Sequence, residues 1–571
     1  MSTLVAALRA HWEARPNQPA IHLLRAKRPD VGLTYRDLID AAAGVAARLA
    51  AAGIARGEVV AIILQHGEPL VAAFWGAVLH GAVPTILPFL TEKLSPEKYR
   101  RDLASLFAIT RPAAIVTYAE FGAEVRRAIA DAPSGMATPM VLDLDTVEPV
   151  APDWDALGGA AARPEDIALL QHSSGSTGLQ KGVALSHQAI FNQVESYGRA
   201  IGLALGTDVI ASWLPLYHDM GLIASFVLPV TLGVPLVLLS PFDWVRAPAR
   251  LLQAISTYRA TLCWLPNFAY NFSATRVRDR DLEGLDLSSM RAFVNCSEPM
   301  RAASHRMFVQ RFTAIGVRDA MLSTCYAMAE NVFAVTQGGI AGPVVVDRPV
   351  ARDLRENRHA RLLLPGEAAD VVEMLSAGRP IDGVTLRIVN DANAPIGERH
   401  IGEICLRSNS MLTGYFHRDD ATQTSIRDGW FFTGDYGYLA DGELFVTGRK
   451  KDLIIVGGKN VYPQDIELLV EEVEGIRSGR VVAFGLFDEA AGTEEIAVIA
   501  EIEETDEDGL AQLREDIRRT IAQRSDVVAR VIELVPPRWL IKTSSGKVAR
   551  TANREKYLAM ASASPPAQSP T

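Results

Sequence analysis

Between Val59 and Leu142 the chain keeps switching between two structural periods, and that switching limits the folds open to it. Val59 to Leu64 is a continuous apolar run too short for a helix, Pro69 to Leu79 is helical in length, and Val83 to Leu87, Ala114 to Thr117 and Met140 to Leu142 are short apolar runs again. Strands that are apolar on both faces and alternate with helices predict a parallel sheet covered on either side. The alternation begins earlier. Residues 2–13 predict an amphipathic helix, Ala20 to Leu24 a strand, and Thr34 caps an alanine-rich helix running to Ala52. A chain of 571 residues is too long for one core and is expected to divide into several units.

Composition excludes several classes. Apolar residues near half and 22% charged residues describe a soluble globular protein. A net charge of −10 argues against a nucleic-acid partner. Cys263, Cys296, Cys325 and Cys405 are scattered with no C-x-x-C pair, which predicts neither a zinc site nor a disulfide framework and suits a reducing cytoplasm. Arg9, His11, Glu13 and Arg15 break any signal-peptide core. The most apolar stretch, Ile223 to Leu239, contains Pro229, Gly233 and Pro235. It is expected to be a buried helix followed by a core strand and not a membrane span.

The stretch with the most chemistry is IALLQHSSGSTGLQKGVALSH, Ile167 to His187. After the apolar run Ile167 to Leu170, Ser173, Ser174, Gly175, Ser176, Thr177 and Gly178 set hydroxyls beside unhindered backbone N–H groups, and Lys181 adds a fixed positive charge. Taken alone a Ser/Gly run is flexible coil. The lysine, the second strand Val183 to Leu185 and Ser186 as a helix cap reverse that reading and predict a polyphosphate loop. Its spacing is not G-x-x-x-x-G-K-[ST].

SSGSTGLQKG resembles the phosphate loop of the adenylate-forming superfamily, which includes acyl-CoA synthetases, peptide-synthetase adenylation domains, luciferases and fatty acyl-AMP ligases. The resemblance extends over nearly the whole chain, and is strongest to the fatty acyl-AMP ligases. It implies an α/β fold: a large N-terminal domain of parallel-rich sheets with helices and a β-barrel-like subdomain, then a small mobile α+β domain. The expected boundaries are 1–449, 450–560 and a disordered tail 561–571, with a ligase-type insertion at about 342–376.

Residue by residue, the resemblance implies the following site. SWLPLYHDMGL places His218, Asp219 and Met220 beside the acyl carboxylate, and LCWLPNF places Trp264 on the acyl tunnel. Ser297, Glu298 and Pro299 would contact adenine and Tyr326 would stack on it. Glu330 would carry Mg²⁺, a hard cation that takes oxygen ligands and bridges to phosphate. Ala327-Met328 departs from the commoner Gly-Leu and is expected to narrow the adenine site. Asp435 and Arg449 would hold the ribose, Lys451 would be the hinge, and KTSSGKVAR would bring Lys547 into the site. Lys547 and Lys181 are the expected catalytic residues, with ATP and Mg²⁺ as cofactors.

Each residue also has a plainer reading. His218-Asp219 can be a hydrogen-bonded structural pair, Trp264 and Tyr326 core, Glu330 a surface charge, and Glu501 to Asp508 a solvated acidic loop. The expected activity is formation of an acyl adenylate from a fatty acid and ATP with release of pyrophosphate, then transfer to the phosphopantetheine thiol of an acyl carrier protein. The alternative is transfer to CoA, which the turn Gly457 to Pro463 favours and the insertion disfavours. A third reading, a non-catalytic scaffold, is opposed by retention of Lys181, Glu330, Asp435 and Lys547 together. Lys459, Arg477 and Arg480 are expected near the thiol entrance.

Overall fold

The computed structural model describes residues 3–89, 96–131, 137–172, 181–456, 459–488, 493–503, 506–525, 527–543 and 547–563. Its largest sheet has nine strands in the order Arg379–Pro380, Ala334–Gly338, Leu322–Ala327, Ala292–Cys296, Leu262–Leu265, Ile210–Ser212, Leu236–Leu239, Pro19–Leu24 and Val31–Thr34. The run from Leu322–Ala327 to Pro19–Leu24 is parallel, and antiparallel strands border it on both sides. A second, all-parallel sheet has the order Val83–Ile86, Val59–Ile63, Ala114–Thr117, Met140–Asp143. These are the strands whose apolar runs lack alternation, and Val59–Ile63 is buried at every position.

Local signals place the helices. Thr34 and Asp37 form a reciprocal cap, Asp37 N–H donating to Thr34 Oγ1 at 3.2 Å and Thr34 N–H to Asp37 Oδ2 at 2.9 Å, and the helix Tyr35–Ala51 follows. It packs against Glu68–His80, where an added Cβ on Gly76 would stand 2.7 Å from the Ala42 carbonyl oxygen. The expected helix and strand within Ile223 to Leu239 are present as Leu228–Leu232 and Leu236–Leu239. The helix begins with a π-helical stretch, Met220–Val227, that hydrophobic periodicity does not reveal. Among the described residues no helix is long and apolar enough to cross a membrane.

An antiparallel five-stranded sheet, Val384–Val389, Gly402–Ser408, Ile426–Arg427, Trp430–Ala440 and Glu443–Arg449, stands where the barrel-like subdomain is expected. Residues 342–376 are not a free solvated excursion. The helix Ala351–Glu356 and the strands Val346–Asp347 and Met374–Leu375 lie on this sheet, burying Leu354 and Ala360 against Tyr436, Tyr438 and Phe445. Asp347 accepts from the Tyr438 hydroxyl at 2.8 Å and pairs with Arg399 at 3.0 Å.

The C-terminal region has its own apolar cores around the sheet Ile476–Asp488, Thr493–Ile502, Ala529–Val535, with helices Pro463–Glu471, Glu507–Arg524 and Arg550–Ala563. Two expectations need correction. Glu501 is buried on a strand and does not belong to a solvated loop: its carboxylate accepts from Leu540 N–H at 2.7 Å and pairs with Arg480 at 3.2 Å. The last helix runs through Ser562 to Ala563, so order extends past the expected start of the tail. All four cysteines are buried and free.

Candidate active site

The strands Ile167–His172 and Gly182–Ser186 pair antiparallel, His172 opposite Gly182. Ser173, Ser174, Gly175, Ser176, Thr177 and Gly178 lie outside the described residues. Lys181, at the base of the second strand, is described. Its Nζ sits 4.4 Å from the ring centroid of Tyr415, which belongs to the strand Gly414–Tyr415 paired with Gly182–Ser186. The Tyr415 hydroxyl donates to Glu330 Oε1 at 2.9 Å. One tyrosine therefore joins the expected phosphate lysine to the expected metal carboxylate.

Glu330 rides on the 3₁₀ turn Ala329–Asn331, which closes in a strained γ-turn. Phe333 N–H bonds to Asn331 O at 2.6 Å and Val332 has φ 62° and ψ −54°, a region a β-branched residue enters only when its surroundings impose it. Burial pushes the Glu330 carboxyl above its usual range, while the Tyr415 hydroxyl and Lys181 pull it down. One buried carboxylate fits an oxygen-ligated divalent cation that takes its other ligands from phosphate. Among the described residues no group of three or more His, Cys, Asp or Glu stands ready to bind a metal unaided.

Two loops from the ends of parallel strands converge on this corner. After Ala292–Cys296 the backbone turns left-handed at Ser297, φ 69°, and its hydroxyl points at Met220 Sδ, 4.0 Å away. Glu298 turns its carboxylate to Phe268 N–H at 3.0 Å, and Pro299 follows in the loop. Near the end of Leu322–Ala327 stands Tyr326, whose hydroxyl donates to Asp435 Oδ2 at 2.7 Å. Asp435 faces Arg449 across the sheet at 3.5 Å, the two being register partners on adjacent strands. Burial raises the Asp435 carboxyl, and Arg449 and Tyr326 oppose it.

His218 and Asp219 form a pair with Nδ1 and Oδ1 2.7 Å apart at the head of the π-helical stretch, where Asp219 also accepts from Met220 N–H at 2.7 Å. Burial would raise the Asp219 carboxyl, but His218 and Lys547 outweigh it and hold it below its usual range. The same lysine, with Lys542, lowers the Glu298 carboxyl against a larger upward push from burial. Lys547 therefore lies in the field of Asp219 and Glu298 in this domain arrangement. The contact is braced where Arg301 donates to Gln464 O at 3.0 Å and stands 4.0 Å from Asp465. Lys451 lies in the turn Lys450–Asp452 between the two regions, and burial with Arg449 beside it lowers its ammonium below the usual range.

Trp264 is not brought into this cluster. It is fully buried, with its indole N–H bonded to the Tyr197 hydroxyl at 2.7 Å. Arg477 and Arg480, expected at the thiol entrance, are paired with Glu503 and Glu501. Two residues of the site carried no assigned role in the sequence. Tyr415 stood in a Gly-Tyr pair after a restart of the strand pattern, which is weak punctuation. Lys542 opens the KTSSGK run, and burial followed by the nearby Arg480 lowers its ammonium to about 8.

An N-terminal α/β fold whose strand ends and loops hold Tyr326, Glu330 and Asp435, followed by a separate C-terminal unit whose Lys547 lies in the field of Asp219 and Glu298, matches an adenylate-forming enzyme, a class that uses ATP. The chain belongs to the family described as AMP-binding enzyme, whose model matches residues 8–416. It is 31% identical over 580 residues to the medium-chain-fatty-acid–[acyl-carrier-protein] ligase JamA of Moorena producens, covering 98% of this chain and 95% of that protein. It is 30% identical over 590 residues to a putative fatty-acid–CoA ligase, fadD21, of Mycobacterium leprae, covering 97% and 98%. A solved structure from a study of fatty acyl-adenylate ligases of E. coli and L. pneumophila superposes with a TM-score of 0.88 at 31% identity, covering 99% of this chain and 98% of that one.

Proposed function

We propose that the protein activates a fatty acid with ATP to an acyl adenylate, releases pyrophosphate, and transfers the acyl group to the phosphopantetheine thiol of an acyl carrier protein. The observation that carries the first step is that Lys547 lies in the field of Asp219 and Glu298 while Tyr326, Asp435 and Arg449 are already joined. A fatty acid is ionised at neutral pH, so the step needs no general base. Its obstacle is repulsion between the carboxylate and the triphosphate, and the remedy is fixed positive charge.

Lys181 and the Ser173 to Gly178 loop would hold the outer phosphates, and Lys547 would meet charge developing at the α-phosphate. Asp435 and Arg449 would hold the ribose, and Ser297, Glu298, Pro299 and Tyr326 would form the adenine site. Glu330 would hold Mg²⁺, which when bound neutralises phosphate oxygens. His218, Asp219 and Met220 would flank the acyl carboxylate. Lys451 would be the hinge between 1–449 and 450–560, and a cytoplasmic setting agrees with four buried free thiols.

The carrier-protein acceptor is supported by the packing of residues 342–376 on the sheet that meets the C-terminal unit, where Arg355 lies in the field of Asp465. Rotation of that unit to admit free CoA would have to break this contact. The test supplies purified protein with ATP, magnesium, dodecanoic acid and either CoA or a holo-carrier protein. Pyrophosphate release with acyl transfer to the carrier supports the reading; efficient acyl-CoA formation overturns it.

A further inference from the structure

The outer face of the five-stranded sheet carries three arginines, Arg387, Arg407 and Arg427, that pair with no carboxylate among the described residues. Arg387 lies 4.0 Å and Arg407 4.5 Å from the ring centroid of Trp430, and Arg427 lies 4.6 Å from that of Phe432. Strand register explains the grouping. Arg387 is opposite Cys405, which is opposite Phe432, and Arg427 is opposite Trp430, so guanidinium and ring alternate across one face. Stacking desolvates one side of each guanidinium and leaves its planar N–H edge for an acceptor.

The other contacts of Arg407 and Arg427 are to neutral oxygens, and Arg387 lies against the Cys405 thiol. Arg407 donates to the carbonyls of Gly429, at 3.0 Å, and Asp428, and Arg427 donates to Thr424 O at 3.0 Å. Arg387 Nε is buried with no acceptor. Two of the nearby carboxylates are engaged elsewhere. Glu403 takes Lys450 at 2.8 Å, Asp391 takes Arg358 at 2.9 Å, and Asp428 makes no ion pair among the described residues. In a chain of net charge −10 such a face is out of character.

We infer that this Arg387–Arg407–Arg427 face, with Trp430 and Phe432 beneath it, docks an acidic surface of the acyl carrier protein; the inference rests on the acceptor proposed above. Three observations favour that partner. The patch is cationic and the partner acidic, which gives charge complementarity. Phe432 lies three residues from Asp435 on one strand, so the patch and the site share a strand. Arg477 and Arg480, the alternative cations for this role, are already paired. A membrane surface is the less fitting occupant. Neither Trp430 nor Phe432 is among the exposed large apolar side chains, so nothing projects to enter a bilayer.

The test compares the parent with the R407E/R427E variant, both positions being exposed. Pyrophosphate release with ATP and dodecanoic acid and acyl transfer to free pantetheine stay at parental rates. Transfer to the holo-carrier protein falls about tenfold or more in kcat/KM and loses its salt dependence, the signature of lost charge steering. Arg387→Gln, which removes a charge without reversing it, gives a smaller loss in the same direction. Parental carrier kinetics in R407E/R427E overturn the docking face alone. Failure of the parent to load any carrier overturns both the face and the acceptor reading. Sedimentation of the parent but not the variant with vesicles containing phosphatidylserine, with carrier kinetics unchanged, assigns the face to a membrane and overturns the inference.

Discussion

Replacing Tyr415 by Phe removes one hydroxyl from the centre of the site and little else. The ring stays 4.4 Å from Lys181, so its attraction for the ammonium is kept, while the 2.9 Å bond to Glu330 Oε1 is lost. A hydrogen bond to a charged group is worth about 1.5–3 kcal/mol, and at about 1.4 kcal/mol per decade the loss is about ten- to a hundredfold in kcat/KM for ATP, read as pyrophosphate release. A second readout has a sign of its own. Burial already holds the Glu330 carboxyl above its usual range and the Tyr415 hydroxyl pulls it down, so the variant's carboxyl rises further. The acid limb of the pH profile then moves to higher pH. Tyr415→Leu loses the cation–π attraction as well, about 0.5–2 kcal/mol more. Parental kcat/KM and an unmoved acid limb in a normally folded Tyr415→Phe protein would refute the coupling of Lys181, Tyr415 and Glu330.

Two further expectations come from packing and charge. Gly221→Ala places a Cβ 2.2 Å from the Pro215 carbonyl oxygen, so the π-helical stretch must shift. We expect a loss of about 1–3 kcal/mol in denaturant unfolding and a raised KM for fatty acid, and parental values for both would contradict this. Lys542 has its ammonium lowered to about 8 from an ordinary 10.5. Between those values the unfolded chain binds more protons than the folded one, so stability rises with pH across that window. Unfolding measured from pH 8 to 10.5 should show this rise in the parent and lose it in Lys542→Met; an equal rise in both would exclude Lys542 as its source.

Much of this architecture is legible in the sequence because its signals are local. Thr34 with Asp37, and Ser186 before His187–Ala200, mark helix starts by side-chain chemistry alone. In three strands of the four-stranded parallel sheet the apolar runs show burial on both faces by lacking alternation, whereas the edge strand Met140–Asp143, read the same way, has no buried residue. What is not legible depends on contacts across the chain. Glu501 reads as part of an acidic run, and only the fold brings Leu540 N–H and Arg480 to it. The π-helical stretch has the apolar composition of any buried helix, so its wider turn, beginning at Met220 with Asp219 as its cap, leaves no trace in periodicity. Tyr415 acquires a role only because Gly414–Tyr415 pairs with Gly182–Ser186, more than two hundred residues earlier. The strain at Val332 and Ser297 is invisible in residue type, since neither is a residue that favours positive φ.

The account turns on a lysine from the C-terminal unit completing a site built by the N-terminal one. Single-turnover formation of acyl adenylate by Lys547→Ala, at saturating ATP and dodecanoic acid, tests it most directly. The account predicts a rate about a hundred- to a thousandfold below the parent's with ATP binding retained, the scale of losing one preorganised charge at the reacting phosphate. A rate within a few-fold of the parent's would show that Lys547 takes no part in the chemistry and would contradict the account.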